Sequence, residues 1–236
     1  MMKAGMIFAL SILAGLLAGG ILAGISMVLV QPYTAVLADI ELESLLADGE
    51  FDEDEFEAQL QSIHFSQQYG SLAIGVAAGA IMGGAYLVSR IRMEPIKAAL
   101  LIAGIAWFVL YVIPAVKYPP SPEAAFNPNS PATNLVLLAG YTGVSGLAAI
   151  AIALGFRKVK RKEKAFGAAA LYLAVVAGAF FAFPDYQSDD DLLLHQPVLN
   201  AWRSAISLSI TAFWFSLGIV CGLLWMYGNK SGGRAT

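Results

Sequence analysis

Six stretches of the chain, at about 6–30, 71–88, 98–116, 132–156, 165–183 and 204–227, run for eighteen residues or more without a charged side chain. As helix, each is long enough to cross a hydrocarbon core of about 30 Å. No ten-residue segments of alternating polarity separated by turns occur. Lipid offers no partner for an open backbone, so the runs predict helices and not barrel strands. The expected fold is all-α: a polytopic integral membrane protein with one membrane domain over 1–236 and six spans arranged as three hairpins.

The polar connectors orient these spans, because cytoplasmic loops carry the excess of Lys and Arg. Lys3, the turn with Arg90, Arg92 and Lys97, the run from Arg157 to Lys164 and the tail with Lys230 and Arg234 hold twelve of the fourteen basic residues. Only Lys117 and Arg203 fall in the alternate connectors. Fifteen of the seventeen acids, all but Glu94 and Glu163, fall there too. This partition predicts cytoplasmic termini and an acidic outer face. Composition agrees, with 58% hydrophobic and 13% charged residues, against roughly 25% charged in soluble domains. The expected location is the plasma membrane.

The first run follows Lys3 and resembles a signal peptide, but it exceeds the 7–15 residues of a cleavable core and reads as an uncleaved anchor. Each rising helix ends in a similar pattern: Gln31-Pro32-Tyr33, Ile113-Pro114 with Lys117-Tyr118-Pro119, and Phe183-Pro184-Asp185-Tyr186. Proline beside an interfacial tyrosine is ordinary boundary chemistry, so the repetition is weak evidence for an internal repeat. Glycines recur four apart at Gly15/Gly19, Gly20/Gly24, Gly75/Gly79/Gly83 and Gly218/Gly222. Such stripes let helices approach closely, within the chain or against another subunit. The lone cysteine, Cys221, reads as a small buried helix residue.

The connector 31–70 is the one sizeable extramembrane segment, extracytoplasmic and acidic between Asp39 and Glu57. Phe56, Leu60 and Ile63 fall at i, i+4 and i+7, which predicts a short helix with one apolar face. Part of it imitates an EF-hand loop from Ser44 to Glu55, but Leu46 would stand at the third position, and leucine cannot ligate a hard cation. The segment reads as an acidic helix start. After the third span, prolines at 119, 120, 122, 128 and 131 predict a stiff, extended strap.

No span carries an ionisable residue in its central region. That argues against a self-sufficient proton-driven pump, and leaves hydroxyls, thioethers and broken-helix carbonyls as internal ligands. Ser11, Ser26, Thr142, Ser145, Ser207, Ser209, Thr211 and Ser216 are the hydroxyl candidates, although such groups commonly bond back to their own helix. No phosphate loop, nucleophile elbow, dinucleotide fingerprint or zinc pair occurs, so an enzyme is not expected. The basic run is explained by topology, and so is no nucleic-acid site. The outer acids offer a candidate metal site: His195 with Asp189, Asp190, Asp191 and Asp185, and His64 from the first connector, supply nitrogen and carboxylate ligands suited to a divalent transition ion. Arg203, beside Trp202 near the start of the last span, either snorkels to headgroups or pairs with an aspartate of its own connector.

Two segments resemble a known family. Phe108 to Pro122, F-V-L-Y-V-I-P-A-V-K-Y-P-P-S-P, is similar to the end of the third span in the cobalt transporter subunit CbtA family, through Lys117, Tyr118, Pro119 and Pro122. The block from Trp202 to Gly222 is similar to the family's last span, through Trp202, Arg203, Trp214, Gly218 and Gly222. The long acidic first connector departs from the pattern. The resemblance implies uptake of cobalt(II) with no tightly bound cofactor, and a small single-span partner, CbtB, with a histidine-rich terminus. Membrane lipid and further copies of the chain are the other expected partners. Two readings stand: a permeation subunit of a divalent-metal importer, and a non-transporting scaffold in a larger membrane complex.

Overall fold

The computed structural model describes residues 3–48, 53–89, 93–120, 131–156, 161–185 and 196–232, and these are helical almost throughout. In chain order the helices are α1 (Ala4–Leu29), α2 (Gln31–Asp48), α3 (Glu53–Ser89), α4 (Pro95–Trp107), a π-helical segment (Phe108–Val112), α5 (Ile113–Lys117), α6 (Pro131–Gly155), α7 (Arg161–Ala182) and α8 (Gln196–Gly232). Five helical stretches are long and apolar enough to cross a membrane: Ala4–Leu29, Tyr69–Ser89, Pro95–Lys117, Asn134–Gly155 and Gln196–Asn229. The sixth apolar run lies in α7 and is shorter, Phe166–Ala182. The helices group into two compact units, Met1–Ala106 with Leu192–Thr236, and Trp107–Asp191.

The 31–70 connector is helical wherever it is described. Pro32 has no N–H, which removes a rung of the ladder and breaks the rod at Val30. The chain then resumes as α2, with Val30, Thr34, Leu37 and Ala38 buried at helical spacing. Of the residues that imitate a calcium loop, Ser44 to Asp48 lie inside α2 and Glu53 to Glu55 inside α3. The 37 residues of α3 make a rod about 55 Å long, well beyond the hydrocarbon thickness. Its first turn is acidic, which favours the positive end of the helix dipole.

In the first unit, α1 lies between α3 and α8. The α1–α3 contact is backbone on backbone. A Cβ added to Gly15 would overlap the Gly75 carbonyl, one added to Gly79 would overlap the carbonyl of Ser11, and one added to Gly19 would stand 2.6 Å from the Ser71 carbonyl. Ser11 meets Gly79 and Gly83 while Gly19 meets Ser71, so the two helices run antiparallel. The Gly218/Gly222 stripe of α8 serves α4, where a Cβ on Gly222 would come 2.7 Å from Ile96 Cα. Gly20 and Gly24 have open space where a side chain would go. Three of the four stripes therefore pack within the chain.

Polar pins fix the two ends of α8. Trp225 Nε1 donates to Ser11 Oγ at 3.0 Å, and Ser11 in turn donates to the Ile7 carbonyl. Tyr86 of α3 stacks on the Trp225 ring at 4.1 Å. At the other end, Trp202 Nε1 donates to Thr34 Oγ1 at 3.1 Å, and Thr34 donates to the Val30 carbonyl at the α1–α2 corner. Ser209, Thr211 and Ser216 bond back to their own helix. With no water available in the membrane interior, these two indole N–H groups each take a hydroxyl already anchored to backbone.

The second unit is built from the π segment, α5, α6 and α7 around Val109, Tyr118, Tyr141, Tyr172 and Val176. Among its outward-facing residues are Leu135, Val136, Leu147, Ile150, Phe166 and Phe181, each more than half exposed. That is the expected outer surface of helices solvated by acyl chains, since lipid is as apolar as leucine.

Candidate functional site: a polar seam in the second unit

The site begins with a proline. Ile113 N–H bonds back five residues to the Phe108 carbonyl, closing a π turn. In an α-helix the Val109 carbonyl would take that same N–H, and in a continued π-helix it would take the N–H of residue 114. Residue 114 is proline and has none. The orphaned Val109 carbonyl accepts from Ser145 Oγ of α6 at 2.6 Å. Ser145 is also 2.7 Å from the Tyr172 hydroxyl of α7. Its own proton is committed to Val109, so Tyr172 donates to it. Tyr141 reaches toward the Val176 carbonyl at 3.4 Å. The result is a buried string of neutral oxygens linking all three helices. Among the hydroxyls considered from sequence, Ser145 meets a broken-helix carbonyl.

At the end of α5 the seam becomes charged. The Lys117 side chain is only 5% exposed, and its ammonium pairs with the Asp185 carboxylate, which is 88% exposed. The Lys117 Nζ also lies 4.7 Å from the centroid of the Phe180 ring and 5.8 Å from that of Tyr118, within cation–π range. Tyr118 is buried and donates to the Pro184 carbonyl at 2.6 Å. Its ring meets Tyr141 edge-on at 5.7 Å, and Tyr141 meets Phe183 in the same way at 5.6 Å. The ends of α5 and α7, residues 68 apart in sequence, are thus brought together.

Burial pushes the Tyr118 phenol above its usual 10, with Lys117 opposing and Asp185 reinforcing the rise. A phenol held neutral in the folded state stabilises it fully below the unfolded value, and that contribution is lost as pH climbs through the raised folded value. Tyr118→Phe is therefore expected to cost about 1 kcal/mol near neutral pH. It should also flatten the decline in unfolding midpoint between pH 9 and 11, read by thermal unfolding in detergent.

The structure disposes of the sequence candidates unevenly. Asp185 is engaged by Lys117, and Pro119 is exposed just past the end of α5. Trp202 is buried on Thr34, and Arg203 is half-buried near the start of α8. His64 lies within α3. Asp189, Asp190, Asp191 and His195 lie outside the described residues, as do residues 121–130 of the proline strap. Among the described residues, no three His, Cys, Asp or Glu side chains are grouped to hold a metal. Five parts of the seam were not anticipated from the sequence: Tyr141, Tyr172, Phe180, the Pro184 carbonyl and the Val109 carbonyl. A proline one turn short of the end of a span was the signal available for the last.

Beside the seam, an open groove of about 530 Å³ is lined by Leu110, Leu138, Thr142, Gly143, Gly146 and Ile150 among others. Thr142 brings its only side-chain oxygen. It is a surface for apolar groups, not for ions.

Neither a curated protein nor a solved structure matches the chain. A family model does match, over residues 5–226, and its description is probable cobalt transporter subunit (CbtA). That match takes in both segments on which the sequence resemblance rested, and with it the Lys117–Tyr118 end of α5 and the Ile113–Pro114 break. By a match that runs from the first turn of α1 nearly to the end of α8, this multi-pass membrane protein belongs to the CbtA family of probable cobalt transporter subunits.

Proposed function

We propose that the chain is the permeation subunit of a divalent-metal uptake system, with cobalt(II) as the transported ion. The near full-length family match carries this reading. The seam of neutral oxygens supports it. A span interior without ionisable groups passes an ion only if oxygen dipoles replace part of its hydration shell, and a π-helical carbonyl with two hydroxyls is such a set. In this reading α7 completes six membrane helices, both termini are cytoplasmic, and the acids of the outer connectors concentrate cations at the entrance. Asp189 to Asp191, His195 and His64 are the proposed entrance ligands. A small membrane subunit with histidines, of the CbtB kind, would add nitrogen ligands that this chain, with two histidines, supplies sparingly.

The test is cobalt accumulation by cells expressing the chain alone and with its partner. Uptake several-fold above empty-vector cells is expected in at least one case. Uptake at the empty-vector level in both would leave the scaffold reading in its place.

A further inference from the structure

We propose that Asp185 is a cation-binding site at the outer end of the second unit, that Lys117 occupies it as a tethered stand-in, and that an arriving divalent cation displaces the Lys117 ammonium. The identity of the ion as cobalt rests on the uptake reading above; the displacement does not.

Three observations carry this. The surroundings of the Lys117 ammonium are those of a bound cation: a carboxylate oxygen, one aromatic face at 4.7 Å and a second ring at 5.8 Å. Ammonium and metal ion compete for such a carboxylate because each is a compact positive charge. Next, burial across the pair is lopsided, the lysine side chain at 5% exposed and the aspartate at 88%. Here the carboxylate keeps lone pairs open to water, so a cation can reach Asp185 before the pair breaks. Finally, the backbone that leads into Asp185 is anchored. The preceding carbonyl, on Pro184, accepts from the buried Tyr118 hydroxyl, and Phe183 N–H bonds to the Ala179 carbonyl. The lysine, by contrast, has a four-carbon stem that can swing its head to the headgroup layer.

A lone carboxylate with a resident competitor binds weakly, as conduction demands: an entry site must be favourable enough to fill and loose enough to empty. The resident ammonium also keeps Asp185 neutralised between ions, so its charge does not trap the first cation to arrive.

The experiment is acetylation of the full chain in lipid nanodiscs by an amine-reactive reagent, read residue by residue by mass spectrometry, during titration with cobalt chloride. Without metal, Lys117 should be protected and Lys97, whose side chain is 65% exposed, should react freely. With metal, moving the displaced population from about a tenth to nearly all raises Lys117 acetylation about tenfold, while Lys97 stays unchanged. Asp185→Asn should label at Lys117 without metal, and Lys117→Met should tighten cobalt binding to the chain.

Lys117 labelling that stays flat up to cobalt concentrations that saturate uptake would overturn the proposal, as would an Asp185→Asn protein as protected as wild type. If either variant fails to fold, the wild-type titration decides alone. Labelling needs no transport, so a metal response in a chain that does not accumulate cobalt would keep this site and remove only the uptake reading.

Discussion

Gly75→Val is expected to abolish the packed first unit, whereas Gly20→Val leaves it intact. At Gly75 an added Cβ would overlap the Gly15 carbonyl and come within 2.9 Å of Gly19 Cα. Both obstacles are backbone and cannot rotate away, so the whole of α3 must lift off α1. Overpacking in cores costs about 1–3 kcal/mol when flexible side chains give way, and more when they cannot. Association of helices in lipid rests largely on close packing, so separating α1 from α3 removes what holds the pair together. Gly20 has nothing within 4 Å of its would-be side chain, and the same substitution there adds only surface. Size-exclusion profiles and thermal unfolding in mild detergent separate the two outcomes. A Gly75→Val protein that unfolds with wild-type behaviour would refute the backbone contact.

The second large effect concerns Ser145. Replacing it with alanine, which keeps Cβ and removes only the hydroxyl, strips the Val109 carbonyl of its donor and the Tyr172 hydroxyl of its acceptor in one step. Buried groups left unpaired cost about 1–3 kcal/mol each. Interhelical bonds in membranes sit toward the low end of such ranges, so a loss of about 2 kcal/mol is expected. The origin of the defect gives a sharper test. Pro114→Ala restores an N–H within reach of the Val109 carbonyl, so in that background Ser145→Ala should cost less than half as much. Unfolding of the four proteins of this cycle in mixed micelles measures the coupling. Equal costs in the two backgrounds would mean that Ser145 serves only Tyr172, and that the π turn satisfies itself.

Both cases show why some of this molecule could be read along the chain and some could not. Apolar runs announce spans because crossing a hydrocarbon layer is a property of one segment and its solvent. Pro32 and Pro114 announce breaks because a missing N–H acts within one turn. The glycine stripes marked faces that could pack closely, and three of them do. Nothing in Gly20 and Gly24 distinguishes them locally from Gly15 and Gly19. Which stripe meets a partner depends on how α1 is rotated against α3 and α8, a choice made by the sum of all its contacts. In the same way, Asp185 reads as a metal ligand beside Asp189 to Asp191 until α7 sets its end against α5, where Lys117 reaches it across 68 residues.

By itself, then, the sequence determined the class of the protein, the places of five helices of membrane-crossing length and the segments that carry its family signature. These follow from hydropathy and backbone chemistry, which act over a turn or a span. Only the tertiary structure decided that a proline in one helix is answered by a serine in the next, that α1 and α3 touch backbone to backbone, and that Lys117 pairs with Asp185. Those pairings depend on the rotation and register of one helix against another, and side chains distant along the chain fix both only when they pack together.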